Sequence, residues 1–164
     1  MPDASDAPLQ PVRMEEGRAM IIAGFAQRHS ADTASNPAAL WQEFAPFAGK
    51  VPGQVGGDRY GLMGEPDSQG AFDYIAGVEV ETQAGLNEQL HWFELAPVTY
   101  AVFEYQGHLS GVAQTVEALR EQWLAESGYT AARAPVLERY SGDYDALAAT
   151  GTVEIWFPVM PKAI

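Results

Sequence analysis

The segment Pro135-Val-Leu-Glu-Arg-Tyr140 sets one acid among apolar and aromatic neighbours. Read as a strand, it turns Val136, Glu138 and Tyr140 to one face and Leu137 and Arg139 to the other. A carboxylate walled by rings suits a lipophilic cation, because apolar surroundings strip water from the two charges and strengthen their attraction. The residues themselves leave a second reading open, in which Glu138 lies on the surface or bridges to Arg139.

Rings to line such a hollow are plentiful. Tyr74, Tyr100, Trp123, Tyr140 and Trp156 are the first candidates for ligand contact, with Trp41 and Trp92 as the second. A ring face attracts a cation by roughly 0.5 to 2 kcal/mol and covers a flat ligand without demanding hydrogen bonds. Core packing competes for each of these positions, above all for Trp123, which closes a helical stripe. Glu154 shares a strand face with Trp156 and is weighed as a second pocket acid against an ordinary solvated position.

Other chemistries find little support. The chain has no cysteine, which excludes disulfides, thiol nucleophiles and thiolate metal sites. His29, His91 and His108 are far apart, and none stands in an HxH or HExxH arrangement. Asp143 and Asp145 flank Tyr144 as turn residues without further metal ligands. Gly53, Gly56 and Gly57 precede no Gly-Lys-Ser/Thr, and Ser127 lacks a G-x-S-x-G setting. No metal and no cofactor are expected.

The elements that must position these side chains fit in one domain of 164 residues, 47% of them hydrophobic. Nine Lys and Arg stand against 22 Asp and Glu, a net charge of −13 without a local basic patch, so direct DNA or RNA binding is not expected. The apolar stretch 19–26 is broken by Gly24 and too short to span a bilayer. No signal-peptide pattern opens the chain, which makes the cytoplasm the expected compartment.

Residues 1–10 read as a loose leader and 11–164 as the domain, in halves of about 11–81 and 92–164. In the first half, Met20 to Phe25 form an apolar run suited to a strand, and Asn36-Pro37 can cap a helix carrying Leu40, Trp41, Phe44 and Phe47. Strands are expected at 59–63 and 72–80, the latter alternating with period two. Residues 82–91 read as a connection. In the second half a strand at 98–105 precedes a helix whose stripe is Leu109, Val112, Val116, Leu119 and Trp123, ended by Ser127-Gly128. Strands follow at 135–140 and 151–158. The expected fold is α+β: two βαββ units in pseudo-two-fold arrangement, helices on one sheet face, and a ligand cleft between the halves.

The second half resembles the effector-binding domain of the gyrase-inhibitory protein family, which is also the ligand domain of some AraC-type and MerR-type multidrug-responsive regulators. The likeness is carried by Tyr74-Ile-Ala-Gly-Val-Glu-Val80, Phe93-Glu-Leu-Ala-Pro-Val-Thr-Tyr-Ala-Val-Phe103, Gln122-Trp-Leu-Ala-Glu-Ser-Gly-Tyr129, Pro135 to Tyr140 and Val153-Glu-Ile-Trp-Phe-Pro-Val159. With about ten residues ahead of the first expected strand, the resemblance is to the stand-alone members. It implies a cleft in which Glu138 pairs with amphipathic, cationic, drug-like compounds, for sensing or sequestration. Two alternatives also come from it: a hydrolase that opens cyclopropane rings of genotoxic natural products with Glu138 as general base, and an acidic inhibitor that binds DNA gyrase. A homodimer is left open.

Overall fold

The computed structural model of the chain describes residues 10–29, 38–47, 49–64, 67–69, 71–86, 88–108, 112–140 and 150–161. The strands are β1 (Arg13–Glu16), β2 (Met20–His29), β3 (Arg59–Met63), β4 (Phe72–Val80), β5 (His91–Leu95), β6 (Thr99–His108), β7 (Tyr129–Ala131), β8 (Val136–Tyr140) and β9 (Thr150–Pro161). Helix α1 (Ala38–Phe44) ends in a 3-10 turn over Ala45–Phe47. Helix α2 (Val112–Ala118) runs through a π-helical turn, Leu119–Trp123, into a last short turn, α3 (Leu124–Glu126).

The segments expected at 59–63 and, by period two, at 72–80 form strands with those limits, while β2, β6 and β9 run further than expected. Three strands escaped the sequence reading. β1 is polar, β7 has three residues, and β5 is exposed at four of its five positions, so none carries an apolar period. The connection assigned to 82–91 therefore ends in a strand that starts at His91. Asn36, Pro37, Leu109 and the loop with Ser141, Asp143 and Asp145 lie outside the described residues.

The fold is α+β, with the nine strands in a single antiparallel sheet of order β1-β6-β9-β8-β3-β4-β2-β5, and β7 beside β9. β8 and β3 meet at its centre, where Glu138 lies opposite Gly61. The two edge strands cross over: β1 pairs with β6 from late in the chain, and β5 pairs with β2 from early in it.

Along this sheet β5 and β6 are six strand spacings apart, about 29 Å at ~4.8 Å per step. Only Ala96, Pro97 and Val98 join them, and such a link reaches no more than about 14 Å. The sheet must therefore curl until its distant strands come close. That curl explains why Ile22, Leu62, Leu95, Tyr100, Val102 and Leu137 form one buried cluster with no helical residue in it. The other face carries the larger core, where Leu40, Trp41 and Phe44 of α1 and Val116 and Leu119 of the second helix pack on Tyr74, Val136, Tyr140, Ile155 and Phe157. Both helices thus cover the same face.

Candidate ligand site around Glu138

Alternation in β8 sends Glu138 to the helix-covered face, between Val136 and Tyr140, and only 1% of it is exposed. Two phenols converge on its Oε1: Tyr140 donates at 2.5 Å and Tyr74, from β4, at 2.6 Å. The Tyr74 oxygen accepts in turn from Trp41 Nε1 of α1 at 2.9 Å. Trp41 also sets its ring edge-on to Tyr140, with centroids 5.0 Å apart. A helix and two strands thus hold one carboxylate in a chain of donors, Trp41 to Tyr74 to Glu138, with Tyr140 closing it.

Gly61 makes the arrangement fit. A side-chain carbon there would strike the Tyr74 hydroxyl and come within 2.6 Å of Glu138 Oε1. A glycine inside a strand often marks such a close approach, and Arg59-Tyr-Gly-Leu-Met63 carried that signal in the sequence.

Burial raises the Glu138 pKa above the usual carboxylate range, and the two phenol hydrogen bonds pull it back down. Burial also lifts Tyr74 and Tyr140 well above the ordinary tyrosine value, so both remain neutral donors. Among the described residues, no ion pair reaches Glu138. Arg139 looks the other way, bonding Asp58 at 2.7 Å and approaching Glu154 at 3.7 Å, so the bridge from Glu138 to Arg139 does not form.

Of the candidate rings, Tyr74, Tyr140 and Trp41 gather at Glu138. Tyr100 and Trp156 do not. Glu138 stands opposite Ile155, so Trp156, the next residue along β9, points to the far face. There it packs edge-on to Tyr100 at 5.4 Å and under the Arg13 guanidinium at 5.6 Å. Glu154 shares that far face, held by two hydrogen bonds from Arg13. Trp123 lies at the helix end, edge-on to Phe103 at 5.1 Å and stacked on Tyr129 at 6.3 Å. It lines a cavity of about 550 Å³ together with Glu121, Gln122, Glu126 and Ser127. Trp92 is 46% exposed on the edge strand β5. Parity along one strand is legible in a sequence, but parity between strands depends on register.

The family model of the GyrI-like small molecule binding domain matches residues 10–160. This chain belongs to that family. The GyrI-like chain is 28% identical over 125 residues to the transcriptional regulator BrlR of Pseudomonas aeruginosa, a match covering 73% of this chain and 45% of the regulator. It therefore spans less than half the length of that relative. Among solved structures, an integron cassette protein from Vibrio cholerae aligns with TM-score 0.63 and 23% identity, over 93% of this chain and 97% of that one. The protein SAV2435, solved bound to tetraphenylphosphonium, aligns with TM-score 0.69 and 22% identity over 90% and 93%. These likenesses place the GyrI-like fold on this chain. No helix among the described residues is long and apolar enough to cross a membrane.

Proposed function

We propose that this GyrI-like chain binds lipophilic cations, with Glu138 as the counter-charge and Tyr74, Tyr140 and Trp41 as the rings around it. The observation that carries the reading is a carboxylate 1% exposed, bonded by neutral phenols and paired with no cation among the described residues. Burying an acid without a charged partner costs stability, and a bound cation returns what burial removes. Both hydroxyls use Oε1, which leaves Oε2 outside this pair of bonds and suited to face a ligand charge. The relative solved with tetraphenylphosphonium supports the same ligand class. A cleft between two βαββ halves would admit such a ligand at the β3–β8 junction, where it would serve sensing or sequestration.

Titration of tetraphenylphosphonium against wild type and Glu138→Gln, followed by tryptophan fluorescence, tests this. The substitution is expected to weaken binding at least tenfold, about 1.4 kcal/mol, and to leave a neutral aromatic ligand nearly untouched. Equal losses for both ligands would reject the charge pairing. A hydrolytic role draws on one observation: burial moves the Glu138 pKa upward, the direction that a general base working near neutral pH requires. Turnover of an electrophilic cyclopropane above background, lost in Glu138→Gln, would favour it.

A further inference from the structure

Both phenols that reach Glu138 donate to Oε1. The other oxygen, Oε2, accepts from neither, so that atom is where a proton or a ligand's positive charge can sit, and it cannot hold both. The side chain is 1% exposed on the helix-covered face of the sheet, where an ionised acid without a counter-charge is costly. Bonds from two phenols favour the ion, and burial favours the neutral acid. Of these opposed influences burial is the larger. The empty site therefore keeps a proton at pH values where exposed carboxyls have lost theirs.

The surroundings leave this balance to Glu138 itself. From β4 comes the hydroxyl of Tyr74, from β8 that of Tyr140, and both phenols stay neutral. Helix α1 supplies Trp41 with the apolar Leu40 and Phe44, the second helix Val116 and Leu119, and β9 Ile155. Glu43 and Glu117, on those two helices, are exposed. Arg59 of β3 shares the face of Glu138, level with Tyr140, and Arg120 of the second helix lies over Phe157. Among the described residues neither arginine forms an ion pair with Glu138. With no cation of the described fold beside it, the acid is balanced by a proton or by a ligand.

We propose that a proton and the ligand's cation compete for Oε2 of Glu138, so that a lipophilic cation bound from mildly acidic solution expels one proton. The O–H bond at Oε2 breaks, the proton passes to water, and the electron pair stays on the carboxylate facing the cation. The buried site is then neutral in both states, as a carboxylic acid when empty and as an ion pair when filled. Affinity for a permanent cation rises with pH, by up to tenfold per unit below the folded Glu138 pKa, and levels off above it. This rests on the cation binding proposed above and adds its regulation: capture in near-neutral surroundings and release in acidic ones.

Tetraphenylphosphonium carries a charge that does not titrate, so any pH dependence of its binding belongs to the protein. Calorimetry from about pH 4 to 8 measures its affinity for wild type and Glu138→Gln, and two buffers with different heats of ionisation count the protons released. The surface acids titrate in both proteins and cancel in the comparison. Glutamine resembles the protonated acid, so the roughly tenfold advantage of wild type at neutral pH is expected to vanish as pH falls. Over that range wild type is expected to release up to one more proton per ligand than the variant. A constant advantage with no extra proton overturns the exchange and leaves the cation binding standing. No advantage at any pH rejects the charge pairing and the exchange with it. If Glu138→Gln does not fold, Tyr140→Phe takes its place. Losing a bond that favours the ion, it is expected to move upward the pH at which proton release ceases, and an unmoved limit overturns the exchange.

Discussion

Gly61 and Glu138 face each other across the β3–β8 ladder, and the Tyr74 hydroxyl occupies the space that a side chain at residue 61 would take. Gly61→Ala must therefore push the phenol and the carboxylate apart. Both are fully buried, so neither can swing into solvent. A loss of about 1 to 3 kcal/mol in chemical denaturation is expected, with weaker tetraphenylphosphonium binding. An alanine variant as stable as wild type would mean that the acid–phenol contact is slack.

Glu138 also gives the fold a distinctive pH response. Its folded pKa is raised chiefly by burial, so in the window between the unfolded and folded values the native state holds the proton more tightly than the unfolded chain. Its contribution is fully present below the unfolded pKa and lost as pH rises through the folded one. Glu138→Gln removes that loss while keeping an oxygen for the phenols. Thermal melts across pH 4 to 8 should show the variant gaining on wild type as pH increases, by on the order of a few degrees at the alkaline end. A constant gap would contradict the assignment. Together with weaker cation binding, the gain would show stability yielded for function at one residue.

The two phenols are not equivalent. Tyr140→Phe deletes one donor to Glu138, whereas Tyr74→Phe deletes a donor and also the acceptor used by the indole of Trp41. Leaving a buried N–H unpaired costs about 1 to 3 kcal/mol beyond the lost bond, so Tyr74→Phe is expected to be the more destabilising change in urea unfolding. Either variant removes a bond that lowers the Glu138 pKa, and should shift the pH dependence of stability toward higher pH. Equal costs would indicate that Trp41 finds another acceptor.

The sequence showed much of this arrangement because its strongest signals are local. Period-two alternation located β4, the glycine-rich turn ahead of it marked β3, and parity within β8 put Glu138 beside Tyr140. Tyr74 and Tyr140 were among the candidate rings, and Trp41 was a second choice. Tyr100 and Trp156 were misplaced because only the β8–β9 register decides which face each residue of β9 shares with Glu138. β5 was missed because Trp92 and Phe93 are both exposed, which erases the contrast between faces.

On the far face, Arg13 of β1 grips Glu154 of β9 through its two terminal guanidinium nitrogens, at 2.9 and 3.2 Å, and lies over Trp156. This pair fastens an edge strand whose own sequence is mostly polar. The Arg13 hydrogen bond is the main cause of the lowered Glu154 pKa. A depressed acid contributes stability that is present above its unfolded pKa and lost as pH falls through the folded one, opposite in sign to Glu138. Because both side chains are partly exposed, at 36% and 23%, solvent screening keeps the coupling small. A double-mutant cycle with Arg13→Met and Glu154→Gln should give about 0.5 to 1 kcal/mol at neutral pH and low salt, shrinking in high salt and below the Glu154 pKa. A coupling indifferent to pH would show that β1 is held by its ladder to β6 and by the Arg13–Trp156 stacking, and not by charge.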